Sequence, residues 1–229
     1  MTGVFDSGVG GLLAFGILRS LLPAENLVFL RDRKNCPYGS KTRAEIIEIA
    51  ERNISLLSEM GCSRVLIACC TASTVYDHLG DKAREIAIPI VDKVAEVARG
   101  ITENGRIGVI ATDATVRSHA FENLLPGNTV YEHTAQPLVD LVEGGERDGS
   151  LSDTTAKYLS ELLSPIIDEG IDTLILGCTH FHALCGEIER ILAETTDRKI
   201  KTVSSAEVGA RFTADIIRDS KECGRTVYI

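Results

Sequence analysis

The sequence predicts an α/β protein built from two similar parallel-sheet domains related by a pseudo-twofold. Two observations predict it. Short apolar runs alternate with longer helical patterns along the whole chain, the mark of strand–helix–strand units. Two segments also recur. Gly3-Val4-Phe5-Asp6-Ser7 is echoed by Gly108-Val109-Ile110-Ala111-Thr112, an offset of 105 from Gly3 to Gly108. Leu66-Ile67-Ala68-Cys69-Cys70-Thr71 is echoed by Leu174-Ile175-Leu176-Gly177-Cys178-Thr179, an offset of 108 from Cys70 to Cys178. Two domains of about 100 residues each are expected.

Strands are expected at Gly3–Phe5, Leu27–Leu30, Val65–Ala68, Ile107–Ala111, Thr129–Tyr131, Thr173–Leu176 and Lys201–Val203. Such short apolar runs fit parallel strands buried on both faces. A helix follows Thr42-Arg43-Ala44-Glu45, which has capping-box spacing, and Ile46, Ile47, Ala50, Ile54 and Leu57 line one side of it. Gly61 is placed to end it. Leu159, Leu162, Leu163, Ile166 and Ile167 mark another helix, which Pro165 should kink and Gly170 should close.

Composition narrows the function. The 229 residues are 44% hydrophobic and 25% charged, an ordinary globular balance. The net charge of −9 repels a phosphate backbone, and 5% aromatics with no Trp leave little for base stacking, so no nucleic-acid partner is expected. The start of the sequence lacks the pattern of a signal peptide, and no run reaches the roughly 18 apolar residues of a membrane span. A cytoplasmic protein with no membrane partner is expected, where its seven Cys stay reduced.

Each Cys-Thr pair lies just past a strand's C-terminal end, where open α/β sheets bind ligands. The N-terminus of the following helix is expected to lower the thiol pKa from about 8.5. A free Cys is more commonly a small buried hydrophobe, but two in matching places point to chemistry. If the halves face each other, two thiols reach one ligand from opposite sides. A carbon acid could lose its proton to one and regain it from the other, with inversion. Asp6 ends the first strand and His180 follows Cys178 by two residues, so each thiol has a neighbour to tune it. Asp6-Ser7-Gly8-Val9-Gly10-Gly11 has neither dinucleotide nor P-loop spacing, yet offers a backbone nest for a carboxylate. Cys178, His180, His182 and Cys185 are metal-capable, but their spacing matches no zinc pattern and no metal is assigned. His182 is read as a surface residue and Cys185 as a core residue. The run Arg31-Asp32-Arg33-Lys34 reads as a solvated loop.

Several of these segments together resemble the glutamate racemase family, within the wider aspartate/glutamate racemase superfamily. The resemblance covers Gly3–Gly11, then Asp32 and Cys36-Pro37-Tyr38-Gly39-Ser40-Lys41, then Ala68-Cys69-Cys70-Thr71-Ala72-Ser73. It continues through Gly108–Thr112 with Thr115 and Ser118, Pro137-Leu138 and Leu141-Val142-Glu143, Leu176-Gly177-Cys178-Thr179-His180, and Ser205-Ala206-Glu207. It implies two α/β domains with the active site in the cleft between them, residues 1–91 plus 203–229 forming a discontinuous first domain and 92–202 the second. It also implies a cofactor-independent amino-acid racemase that supplies D-glutamate for peptidoglycan and assembles as a homodimer. It makes Cys69 and Cys178 the acid–base pair, with Asp6 assisting Cys69 and His180 assisting Cys178. Asp32 and Glu143 match positions that support catalysis. Ser7, Pro37, Tyr38, Gly39, Cys70, Thr71, Thr112, Thr115 and Thr179 match positions that hold the substrate.

The sequence departs from the family at Cys70, where Asn is usual, at Arg31, where Gly is usual, at the loop 33–35, and at Ser204, where Asp is common. It ends about where the family is expected to continue. Cys70 keeps other substrates open: aspartate, a hydantoin or another carboxylic acid. A non-catalytic binding protein on the same scaffold is a further alternative. The family motif makes Cys69 the first nucleophile, whereas the ungapped repeat aligns Cys70 with Cys178; the longer family match favours Cys69. Cys36, Cys62, Cys185 and Cys223 are read as packing residues.

Overall fold

A computed structural model describes residues 1–218 and the backbone of 226–228; Cys223 lies outside the described residues. Its strands are β1 (Thr2–Asp6), β2 (Leu27–Arg31), β3 (Arg64–Ile67), β4 (Ala87–Ile88), β5 (Arg106–Ala111), β6 (Thr129–Thr134), β7 (Thr173–Gly177), β8 (Lys201–Ser204) and β9 (Thr226–Tyr228). They form two all-parallel sheets, ordered β4-β3-β1-β2-β9 and β6-β5-β7-β8. Each sheet with its helices is one lobe of an α/β protein. The two-residue β4 and the edge strand β9 carried too little pattern to be expected from sequence.

The inner faces of both sheets share one apolar core. Val4, Phe29 and Leu66 of the first sheet join Ile107, Val109 and Ile175 of the second, with helices Gly10–Leu21, Val91–Ile101 and Ser205–Arg218 between them. The outer faces pack separately. Phe5, Val28 and Ile67 meet helix Arg43–Glu59, while Ile110, Leu174 and Leu176 meet helix Asp153–Asp168. Gly3 and Gly108 play the same part in each lobe. A Cβ on Gly3 would sit 3.0 Å from Leu57 Cδ1, and one on Gly108 would sit 2.6 Å from Ile166 Cγ2. Both glycines let an outer helix close onto its sheet.

The local signals are realised in detail. Thr42 and Glu45 cap each other reciprocally at the start of Arg43–Glu59. Gly61 ends that helix at φ +89°, with Gly61 N–H donating to Ser58 O and Cys62 N–H to Leu57 O. Helix Asp153–Asp168 runs on through Pro165, where a kink is expected. Its Leu159, Leu163, Ile166 and Ile167 are buried against the second sheet, and this packing holds the helix together past the missing N–H. Gly170 follows at φ +74°. Among the described residues, no helix is long and apolar enough to cross a membrane.

Candidate active site

The strand registers define which residues of the two lobes are equivalent. Gly3 pairs with Val65 across β1 and β3, and Gly108 pairs with Leu174 across β5 and β7. Matching Gly3 to Gly108 therefore matches Val65 to Leu174, and four residues further along each chain segment it matches Cys69 to Cys178. The ungapped alignment that matched Cys70 to Cys178 is off by one residue. A one-residue slip turns every side chain to the opposite face, and the packing agrees with the register. Cys69 and Cys178 both belong to the outer clusters of their lobes, whereas Cys70 belongs to the shared core. Cys69 and Cys178 retain 6% and 7% exposure, against 1% for Cys70. The hydroxyl of Ser205 is the polar neighbour of the Cys70 thiol.

Burial pushes both Cys69 and Cys178 well above the ordinary thiol pKa. The sequence pointed the other way, and the reason is structural. The helix after Cys69 is only Cys70–Ser73, and Cys178 precedes a 3-10 segment, Thr179–Leu184, so neither thiol meets a long helix dipole. The N–H groups of Ala72 and His180 act against the burial penalty without overcoming it, while Asp6 and the other thiols add to it. At rest both sulfurs hold their protons.

Asp6 is fully buried. Its Oδ2 accepts from the N–H groups of Gly8 (3.1 Å) and Gly11 (3.0 Å), and its Oδ1 accepts from Thr179 Oγ1 of the other lobe (3.2 Å). Burial raises its carboxyl pKa, opposed by the charge of His180 and these hydrogen bonds. The Gly-rich turn thus holds the protein's own carboxylate in its nest. Its glycines are also steric. A Cβ on Gly8 would lie 1.8 Å from Glu143 Oε1, one on Gly10 would lie 2.5 Å from His180 N, and one on Gly11 would lie 2.2 Å from Asp6 Cβ.

His180 lies between Cys178 and Glu143. Its Nδ1 is 3.5 Å from Cys178 Sγ, and its Nε2 is 2.7 Å from Glu143 Oε1. Glu143 also accepts from Val9 N–H at 2.6 Å and pairs with Arg31 Nη2 at 2.6 Å. The bond with His180 is the main cause lowering the Glu143 carboxyl to about 2, helped by Val9 and Arg31. An ionised carboxylate only accepts, so Nε2 carries the proton that faces Glu143, and Nδ1 is the ring nitrogen that faces the thiol.

The predicted binding residues fall into two groups. Thr71, Thr112 and Thr115 form a buried triangle across the lobes, with hydroxyl separations of 2.8, 3.2 and 2.9 Å. Ser7 lends its hydroxyl to the thiols of Cys69 and Cys36. Gly39 accepts from Ala114 N–H at 2.9 Å, and a Cβ there would lie 1.9 Å from Gln136 Oε1. Asp32 and Tyr38 form a second group. The Asp32 carboxylate accepts from Tyr38 OH (2.8 Å), Asn35 Nδ2 (2.7 Å), Arg52 Nη2 (2.9 Å) and Asn53 Nδ2 (3.4 Å). Asp32 therefore anchors the loop that carries Pro37, Tyr38 and Gly39.

Other residues sit differently from their sequence reading. Arg31 and Asp32 are paired side chains, not a solvated loop. His182 is half-buried and bonds Ser204 Oγ at 2.9 Å, and Cys185 is half-buried beside Glu189. His182 and Cys185 thus turn to partners of their own, whereas Cys178 and His180 face each other. No local pattern marks the Val9 N–H, the Asn35, Arg52 and Asn53 side chains around Asp32, or the Arg31 pairing.

The model of the Asp/Glu/hydantoin racemase family matches residues 18–213. A glutamate racemase of Desulforudis audaxviator is 37% identical over 195 residues, covering 83% of this chain and 70% of the relative. One of Corynebacterium glutamicum is 36% identical over 222 residues, covering 94% and 77%. Among solved structures, the glutamate racemase of Francisella tularensis in complex with D-glutamate is similar at a TM-score of 0.86 and 27% identity, covering 99% of this chain and 86% of that one.

Proposed function

We propose that this chain, which belongs to the Asp/Glu/hydantoin racemase family and is thereby an isomerase, is a glutamate racemase that inverts the α-carbon by two-base proton transfer. The observation that carries this reading is the register equivalence of Cys69 and Cys178 at the ends of β3 and β7, each with its own proton acceptor nearby.

In one direction Cys69 acts as thiolate, having passed its proton to Asp6. It takes the α-proton on one face, and the Cys178 thiol delivers its proton to the carbanion on the other. One C–H bond breaks, one forms, and the two sulfurs exchange protonation states. In the reverse direction His180 Nδ1 accepts the Cys178 proton, and Glu143 stabilises the imidazolium that results. A buried thiolate is a strong base when it forms, which suits a weakly acidic α-carbon. Ser7, Thr71, Thr112, Thr115 and Thr179 supply hydroxyls for the substrate's charged groups. The wider reading is a cytoplasmic homodimer that makes D-glutamate for peptidoglycan.

Incubation in D₂O tests it. Either glutamate enantiomer should be converted to the other with one α-deuterium incorporated. No α-exchange with glutamate contradicts the reading. A second substrate is favoured by one observation: Cys70, in place of the family's usual Asn, faces the core and Ser205. The same assay with aspartate and hydantoins separates that alternative.

A further inference from the structure

The geometry points to Arg31 as a positioning residue that makes the Cys178 side of the site depend on closure of the cleft. The inference rests on the racemase reading above and deepens it. Glu143 is the last residue of helix Pro137–Glu143, followed by Gly144. A carboxylate there faces the helix's own partial negative charge, and nothing within the helix holds it. Three donors do. His180 comes from the same lobe, whereas Val9 N–H and Arg31 come from the other.

The two oxygens of Glu143 are divided between these donors. Oε1 receives His180 and Val9, and Oε2 receives Arg31 at 2.6 Å. Arg31 thereby fixes the carboxylate plane, leaving Oε1 aimed at His180 Nε2. That bond in turn aims Nδ1 at Cys178. The chain Arg31–Glu143–His180–Cys178 is complete only when the end of β2 lies against the helix of the second lobe. Arg31 does so from a position where the resembling family usually has Gly, so a side chain of this protein supplies the tie. Its ion pair is partly exposed (26% and 22% for the two side chains), so its value lies in geometry more than in stability.

Arg31→Met and Arg31→Lys test this. A positioning residue does not touch substrate, so Arg31→Met should lower kcat about tenfold and leave KM within about twofold, and Arg31→Lys should restore most of the loss. A KM increase with kcat unchanged would make Arg31 a substrate contact and overturn the proposal, as would no change in either. A second readout needs no substrate. Imidazole ¹⁵N NMR of the intact protein should show the His180 proton on Nε2 in the wild type and a mixture of tautomers in Arg31→Met. An unaltered His180 signal overturns the positioning role even if turnover falls. A wild type that exchanges no α-proton retracts the racemase reading, while the NMR result still decides the role of Arg31.

Discussion

The two thiols occupy equivalent strand positions, yet the groups that serve them are built in different ways. Asp6 lies one lobe-internal turn from its donors, Gly8 and Gly11, so a stretch of six residues builds most of the Cys69 arm. The Cys178 arm needs His180, then Glu143 at a separation of 37 residues, then Val9 and Arg31 from the opposite lobe. One arm is buried and mostly local, with Thr179 its donor from the other lobe. The other is assembled by packing between lobes. Equal position on a duplicated scaffold therefore does not require equal chemistry. In the proposed mechanism a buried carboxylate serves one face, and an imidazole oriented by a carboxylate serves the other.

The largest test removes a thiol. Cys69→Ser and Cys178→Ser should each lower racemisation by about 10³-fold or more, because inversion needs a base on one face and an acid on the other. The two enantiomers are equally stable in water, so kcat/KM must fall equally in both directions. Any difference between the arms has to appear in kcat and KM separately, which progress curves from each enantiomer measure.

The next test separates the arms through their glycines. Gly8→Ala pushes a methyl group into Glu143 and His180 and should cost on the order of 10²-fold in kcat/KM while thermal melting shows a folded protein. Gly11→Ala crowds Asp6 and should damage the Cys69 arm similarly. Equal activity in Gly8→Ala and wild type would mean that the Glu143–His180 contact is incidental.

Acid stability sharpens the comparison further. Glu143 is held at about 2 in the folded protein, below about 4.3 for an unperturbed Glu. Its contribution is therefore present above the unfolded value and is lost as pH falls through the folded one. Glu143→Gln should be less stable than wild type at pH 6, and denaturant titrations should show that gap closing between about pH 5 and pH 2. A gap independent of pH would show that the carboxylate's charge is not what the site holds. The smallest effect is expected at Cys70→Ser. Its thiol is a core residue, so exchange should persist within about threefold and the loss should appear in melting temperature, by a few degrees.

Much of this was legible in the residues. The apolar runs from Gly3, Leu27, Val65, Ile107 and Thr173 all became strands, because parallel strands buried on both faces carry continuous hydrophobic signals. Thr42 and Gly61 marked helix ends through chemistry that acts within a few residues. The thiols, Asp6, His180 and Glu143 were also visible. What was not visible depends on burial and distance along the chain. The raised thiol pKa values come from desolvation, which no local pattern encodes. Arg31 looked like part of a basic loop until its partner 112 residues away was placed against it. The repeat showed that two cysteines match, but only the strand register showed which two.

The central claim is that Cys69 and Cys178 are the opposed acid and base. Deuterium incorporation at the α-carbon of glutamate, followed by NMR for wild type and for the Cys69→Ser, Cys70→Ser and Cys178→Ser proteins, tests it most directly. The account predicts exchange with inversion in wild type and Cys70→Ser, and loss of conversion in the other two. Conversion that survives in Cys69→Ser but vanishes in Cys70→Ser would contradict it.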